Sequence, residues 1–125
     1  MTSIVVADDE ADILDSTKQV LTIEGFTVTT VQDPKHILAT LRRVKPDLLL
    51  QDVNMPGLEL AKLIPEIRAD RSLKGLRILV FTASVDSEAI SKDLKADGFV
   101  QKPFDAERIK ASIDRFMAAK AHKGA

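Results

Sequence analysis

Apolar residues along this chain switch repeatedly between short unbroken runs and stretches spaced at three and four residues, the pattern of strands each followed by an amphipathic helix. The run Ile4-Val5-Val6-Ala7 predicts a first strand over 4–7. Ile13, Leu14, Thr17, Val20 and Leu21 then share one face of a helix over 11–24, which Gly25 ends. A second strand is predicted over 27–31. Asp33-Pro34 has the form of an N-cap followed by proline at the first helical position, opening a helix whose buried stripe is Ile37, Leu38, Leu41 and Val44, with Pro46 near its close.

The third strand, 48–51, is almost uninterrupted in its hydrophobicity, as expected of a central strand covered on both faces. After Met55-Pro56-Gly57 comes a helix with Leu60, Leu63, Ile64 and Ile67 inward, and Pro65 should kink it or mark a later start. A strand over 77–81, a helix over 87–96 and a short strand over 99–100 follow. Asp105 caps a last helix bearing Ile109, Ile113, Phe116 and Met117. The fourth helix has a thin stripe, Ile90, Leu94 and two alanines, and should pack loosely, as elements that move in switches do. Strand and helix alternation of this kind builds a parallel sheet with helices on both faces. One domain over 1–120 is expected, with 121–125 as a tail and fraying from Ala118 onward.

Polar residues stand just past four of the apolar runs: Asp8-Asp9 after the first, Asp52 after Leu48-Leu49-Leu50-Gln51, Thr82 after Ile78-Leu79-Val80-Phe81 and Lys102 after Phe99-Val100-Gln101. In a parallel sheet those carboxyl ends share one edge, where open α/β sheets place their binding sites. Two carboxylates at 4 Å repel by about 4 kcal/mol at an effective dielectric near 20, so three of them call for cations. Lys102 supplies one charge, and a hard divalent ion taking oxygen ligands, best Mg²⁺, supplies the rest. A carboxylate beside Mg²⁺ and an ammonium is equipped to accept a phosphoryl group, with the Thr82 hydroxyl donating to one of its oxygens.

Composition narrows the classes. With 125 residues and no cysteine, disulfides and thiolate metal sites are excluded, and a reducing, cytoplasmic setting is expected. Eighteen basic against nineteen acidic residues give a net charge of -1, without the positive field that direct nucleic-acid binding requires. No apolar run is long enough to cross a bilayer, so a soluble protein without membrane insertion is expected.

Asp8-Asp9-Glu10, Asp52-Val53-Asn54-Met55-Pro56-Gly57, Thr82-Ala83 and Lys102-Pro103-Phe104, in that order over nearly the whole chain, resemble the receiver domain of bacterial two-component response regulators. The resemblance implies a flavodoxin-like (βα)5 doubly wound α/β fold with strand order 2-1-3-4-5. It implies Asp52 as phospho-acceptor, with a histidine kinase or phosphotransfer protein as donor. Mg²⁺ would be held by Asp8, Asp9, Asp52 and the backbone carbonyl of Asn54. Thr82 and Lys102 would engage the phosphoryl group, Thr82 and Phe99 would form the switch, and a cis peptide would join Lys102 to Pro103. A downstream effector would read the face made by helix four, strand five and helix five, with the protein a monomer or a phosphorylation-induced dimer.

This sequence departs from the family pattern where Gly57 runs directly into Leu58-Glu59-Leu60, about three residues short, which bears on the start of the third helix and one wall of the site. Phe99 stands where a tyrosine is usual, and Ser84 and Asn54 fall where the family tunes hydrolysis of the acyl phosphate. Taken singly, Asp8 and Asp9 are equally well explained by the positive end of the first helix, Thr82 by a strand end, Phe99 by the core and Lys102 by solvent. Two other functions fit parts of the pattern: a receiver-like module that binds partners without phosphorylation, and a small aspartyl-phosphate phosphatase of the haloacid-dehalogenase type. Against the second, Asn54 stands where such enzymes resemble an Asp-x-Asp pattern. A flavin or nucleotide binder would require a Gly-rich loop after the first strand, and none is present.

Overall fold

The computed structural model describes residues 2–83, 85–101 and 106–124. Five parallel strands, Ser3–Ala7 (β1), Thr27–Val31 (β2), Leu48–Asp52 (β3), Arg77–Thr82 (β4) and Gly98–Gln101 (β5), form one sheet in the order β2-β1-β3-β4-β5. Ala11–Ile23 (α1), Ile37–Val44 (α2), Leu60–Ala69 (α3), Ser87–Asp93 (α4) and Ala106–Gly124 (α5) connect and cover it. The α/β fold and strand order expected from the sequence are those observed.

Successive strand residues point to opposite faces, and the core divides accordingly. Ile4, Val6, Leu48, Leu50, Leu79, Phe81 and Val100 pack with Leu14 and Leu21 of α1 and with Ile109 and Ile113 of α5. Val5, Ala7, Val31, Leu49 and Ile78 pack with Ile37 and Leu41 of α2 and with Leu60, Ile64 and Ile67 of α3. Every residue of β3 is buried, because this central strand is covered on both sides.

Several local expectations are corrected. Asp33 caps not α2 itself but a 3-10 turn at Pro34–His36, accepting from the Lys35 N–H at 2.9 Å, and the α-helix starts at Ile37. Pro65 does not mark a later start of α3: the first turn closes on the Glu59 carbonyl, and the helix runs from Leu60 to Ala69 with Pro65 inside it on the exposed side. Helix α4 stops at Asp93, short of 96, because Lys95 takes a left-handed backbone (φ 58) and the Lys95 and Ala96 N–H groups turn back onto Lys92 and Ser91. Its buried residues are Ser87 and Ser91, while Ile90 and Leu94 are only partly covered. The backbone of α5 is helical from Ala106 to Gly124. The expected Asp105 cap lies outside the described residues.

At the amino-terminal edge of the sheet, Asp97 ties three elements together. Its carboxylate accepts from Arg68 of α3 at 2.9 Å, from Arg77 at 3.3 Å and from the Ile78 N–H at 2.8 Å. Its own N–H donates to the Ile78 carbonyl, which fixes the start of β5 against β4.

Candidate functional site

The strand order makes β1, β3 and β4 consecutive neighbours, and their register brings their carboxyl ends level. Ala7 lies opposite Gln51 and Asp52 opposite Phe81, so Asp8, Asp52 and Thr82 finish three adjacent strands. Hydrogen bonds hold the first strand's end in place. The Asp8 N–H donates to the Val31 carbonyl at 3.1 Å, and one Asp8 carboxylate oxygen accepts from the Glu10 N–H at 2.9 Å. The Gln32 amide, just past β2, donates to the Asp9 carbonyl at 3.1 Å.

One carboxylate oxygen from each of Asp8, Asp9 and Asp52 lies within 4.8 Å of the other two. Asp8 is fully buried and Asp52 is 5% exposed, while Asp9 is half-buried. At 4.8 Å two unit charges repel by about 3.5 kcal/mol at an effective dielectric near 20. A set of oxygen donors alone, anionic and closely spaced, fits a hard divalent cation such as Mg²⁺ and offers nothing to a thiophilic metal. Thr82 is buried at the end of β4, and Ala83 beyond it is exposed.

The short connection after Asp52 closes in a single tight turn. Pro56 and Gly57 occupy its two central positions, Gly57 with φ 82, and the Leu58 N–H donates to the Met55 carbonyl at 3.0 Å, the form of a type II turn. Only Glu59 then separates the turn from α3. Asn54 stands exposed before this turn and Met55 is buried beneath it. The Val53 N–H reaches the Phe81 carbonyl at 3.4 Å, carrying the β3 and β4 pairing one residue past Asp52.

Phe99 of β5 is half-buried and lines a concavity of about 710 Å³ along the edge of the sheet between α4 and α5, with Ser91, Ala96, Arg108 and Phe116. The Phe116 ring lies against the backbone of Gly98, where a Cβ would overlap it. Lys102, its peptide with Pro103, and Ser84 lie outside the described residues. The sequence reading missed Gln51, whose amide holds the backbone beside Asp52, although a lone glutamine in an apolar strand was the available signal.

Over residues 4–114 the chain matches the family model for the response regulator receiver domain. It belongs to that family. The family is one of two-component signalling proteins. This receiver domain is 30% identical over 113 residues to the sensory transduction protein RegX3 of Mycobacterium tuberculosis, covering 90% of this chain and 49% of the relative. Among solved structures it is similar to the chemotaxis protein CheY4 of Vibrio cholerae, with a TM-score of 0.83 and 26% identity over 93% of this chain and 98% of that one. Full-length FixJ from B. japonicum aligns with a TM-score of 0.82 and 30% identity, over 95% of this chain and 59% of that one. The receiver domain spans about half the length of the curated relatives it matches.

Proposed function

We propose that this receiver domain is a phosphorylation-dependent switch that accepts a phosphoryl group on Asp52 from a histidine kinase or phosphotransfer protein. The observation that carries this reading is the convergence of the Asp8, Asp9 and Asp52 carboxylates within 4.8 Å at the ends of two adjacent strands. Asp8, Asp9, Asp52 and the Asn54 carbonyl would hold Mg²⁺, which when bound offsets negative charge on the transferring oxygens. A carboxylate oxygen of Asp52 attacks phosphorus; the bond to the donor's imidazole nitrogen breaks, its electron pair stays on that nitrogen, and the ring, carrying a proton on its other nitrogen, leaves as neutral imidazole. Thr82 donates its hydroxyl to a phosphoryl oxygen and Lys102 pairs with another.

Thr82 moving toward the new group draws the start of the β4 to α4 connection with it. Phe99 then follows into the space released, which shifts the population between two packings of the face formed by α4, β5 and α5. The serine-lined inner side of α4 supports this, since few apolar contacts hold that helix to the sheet. An effector protein, or a second phosphorylated copy, reads the altered face. Cytoplasmic placement belongs to the same reading, and no helix among the described residues is long and apolar enough to cross a membrane. The domain acts as a slowly self-resetting switch rather than a turnover enzyme.

Adding Mg²⁺ with beryllofluoride is expected to shift the NMR resonances of Thr82, Ala83 and Phe99 in the wild-type chain and not in Asp52→Ala. Unchanged spectra would reject the switch and, with no Mg²⁺ affinity, favour a phosphorylation-independent interaction module, the reading that the shortened loop supports. Repeated turnover of a simple phosphate ester would favour the phosphatase instead.

A further inference from the structure

The strand that ends in Asp52 carries a polar side chain in its interior. Gln51 is fully buried on the same face as Leu49, among the residues that α2 and α3 cover. Its Nε2 donates to the Asp52 carbonyl at 2.9 Å and lies 3.2 Å from the Met55 sulfur. Both partners only accept, so the amide must present its nitrogen to them and its oxygen elsewhere. Oε1 is therefore left buried with no hydrogen-bond partner. An orphaned carbonyl in a central strand is a standing penalty that a leucine or methionine would avoid while continuing the run Leu48-Leu49-Leu50.

We propose that Gln51 is a positioning residue for the acceptor site, kept at the expense of the fold. Its amide grips the chain at Asp52 and at Met55, on either side of Val53 and Asn54, and so fixes the arc that would present the Asn54 carbonyl to Mg²⁺. The tight turn at Pro56-Gly57 begins at Met55, so the same contact anchors the shortened connection to the strand. The inference rests on the function proposed above and assigns its geometry to a residue outside the acidic cluster.

Gln51→Met keeps size and apolar fit and removes the donor. In EDTA this variant is expected to unfold at the same or higher urea concentration than wild type, because the orphaned Oε1 is gone, while the Val53 and Asn54 amides exchange faster. Its Mg²⁺ dissociation constant, from NMR titration, is expected to rise about three- to tenfold, the factor carried by one neutral hydrogen bond. Its phosphorylation rate with saturating acetyl phosphate should fall. Unchanged amide exchange and Mg²⁺ affinity, beside a wild type that binds Mg²⁺ and becomes phosphorylated, would overturn the inference alone; a wild type that does neither would instead overturn the functional reading.

If the variant does not fold, the Gln51 side-chain NH₂ resonances of wild type provide the test. They are expected to be protected from solvent exchange and to titrate with Mg²⁺ in step with the Asn54 amide. Resonances that exchange freely and ignore Mg²⁺ would contradict the proposal.

Discussion

Asp8→Asn should stabilise the metal-free protein. The substitution removes one charge from a group in which Asp8 faces both Asp9 and Asp52 within 4.8 Å. With all three ionised, each pair repels by about 3.5 kcal/mol at 4.8 Å and an effective dielectric near 20, so two pairs come to about 7 kcal/mol before screening. Exposure of Asp9 lowers this through solvent screening, and loss of a favourable charge at the start of α1 subtracts about 0.3–1 kcal/mol. The asparagine Oδ1 can still accept the Glu10 N–H that Asp8 accepts at 2.9 Å, so no cap is lost. The Lys102 ammonium that the proposed site sets against these carboxylates offsets a further part of the repulsion, and a net gain of about 1–3 kcal/mol follows.

Urea unfolding in EDTA measures this gain. The chain has no tryptophan and no tyrosine, so far-ultraviolet circular dichroism is the signal. With a denaturant slope of about 1–3 kcal/mol per molar, the midpoint should rise by about 1 M. Mg²⁺ at about ten times its dissociation constant should add about 1.4 kcal/mol to wild type, and almost nothing to the variant. A variant less stable than wild type in EDTA, or one gaining as much from Mg²⁺, would refute the electrostatic account of the cluster.

Elsewhere in the chain, Gly98→Ala would drive a methyl into the Phe116 ring and should destabilise by about 1–3 kcal/mol in urea unfolding, with Phe116→Leu restoring part of the loss if overlap is the cause. Asp97→Asn leaves the paired Arg68 and Arg77 guanidiniums without their shared carboxylate, and should speed hydrogen exchange at Ile78 and Gly98 before other strand amides. Bonds from the Ser72 hydroxyl and from Arg42 hold the Asp70 carboxyl at about 2, below its ordinary value of 3.8. The stability this contributes is fully present above the ordinary value and is lost as pH falls toward 2. Acid titration of Asp70→Asn, followed by circular dichroism, should therefore show a shallower stability loss between those values; an unchanged slope would remove Asp70 from the account.

The layered fold was legible because the two periodicities are distinct. Ile37 and Leu41, or Leu60, Ile64 and Ile67, recur at helical spacing and are the buried residues of α2 and α3. The carboxylate cluster followed from strand ends, since Asp8-Asp9 and Asp52 each close a run that a parallel sheet points the same way. Periodicity could not supply which strands are neighbours; the order came from resemblance, and without it Asp8 and Asp52 need not have met. The end of α4 was misplaced because a lysine, unlike glycine, does not advertise a left-handed turn, and Lys95 adopts one. Its inner face was misjudged because serine serves equally on a buried or a wet surface, and only contact with the sheet selects Ser87 and Ser91. Gln51 was counted as part of the third apolar run, since its hydrogen bond to the neighbouring carbonyl leaves no periodic trace beyond the lone polar residue itself.

The most direct test is to locate the phosphoryl group. Wild-type protein would be incubated with acetyl phosphate and Mg²⁺, reduced with borohydride to convert aspartyl phosphate to homoserine, and mapped by peptide mass spectrometry. Conversion at position 52 alone, abolished by EDTA and by Asp8→Asn, is the expected result. Conversion at another carboxylate, or none in a chain that binds Mg²⁺, would contradict the claim that the carboxylate at the end of β3 is the acceptor.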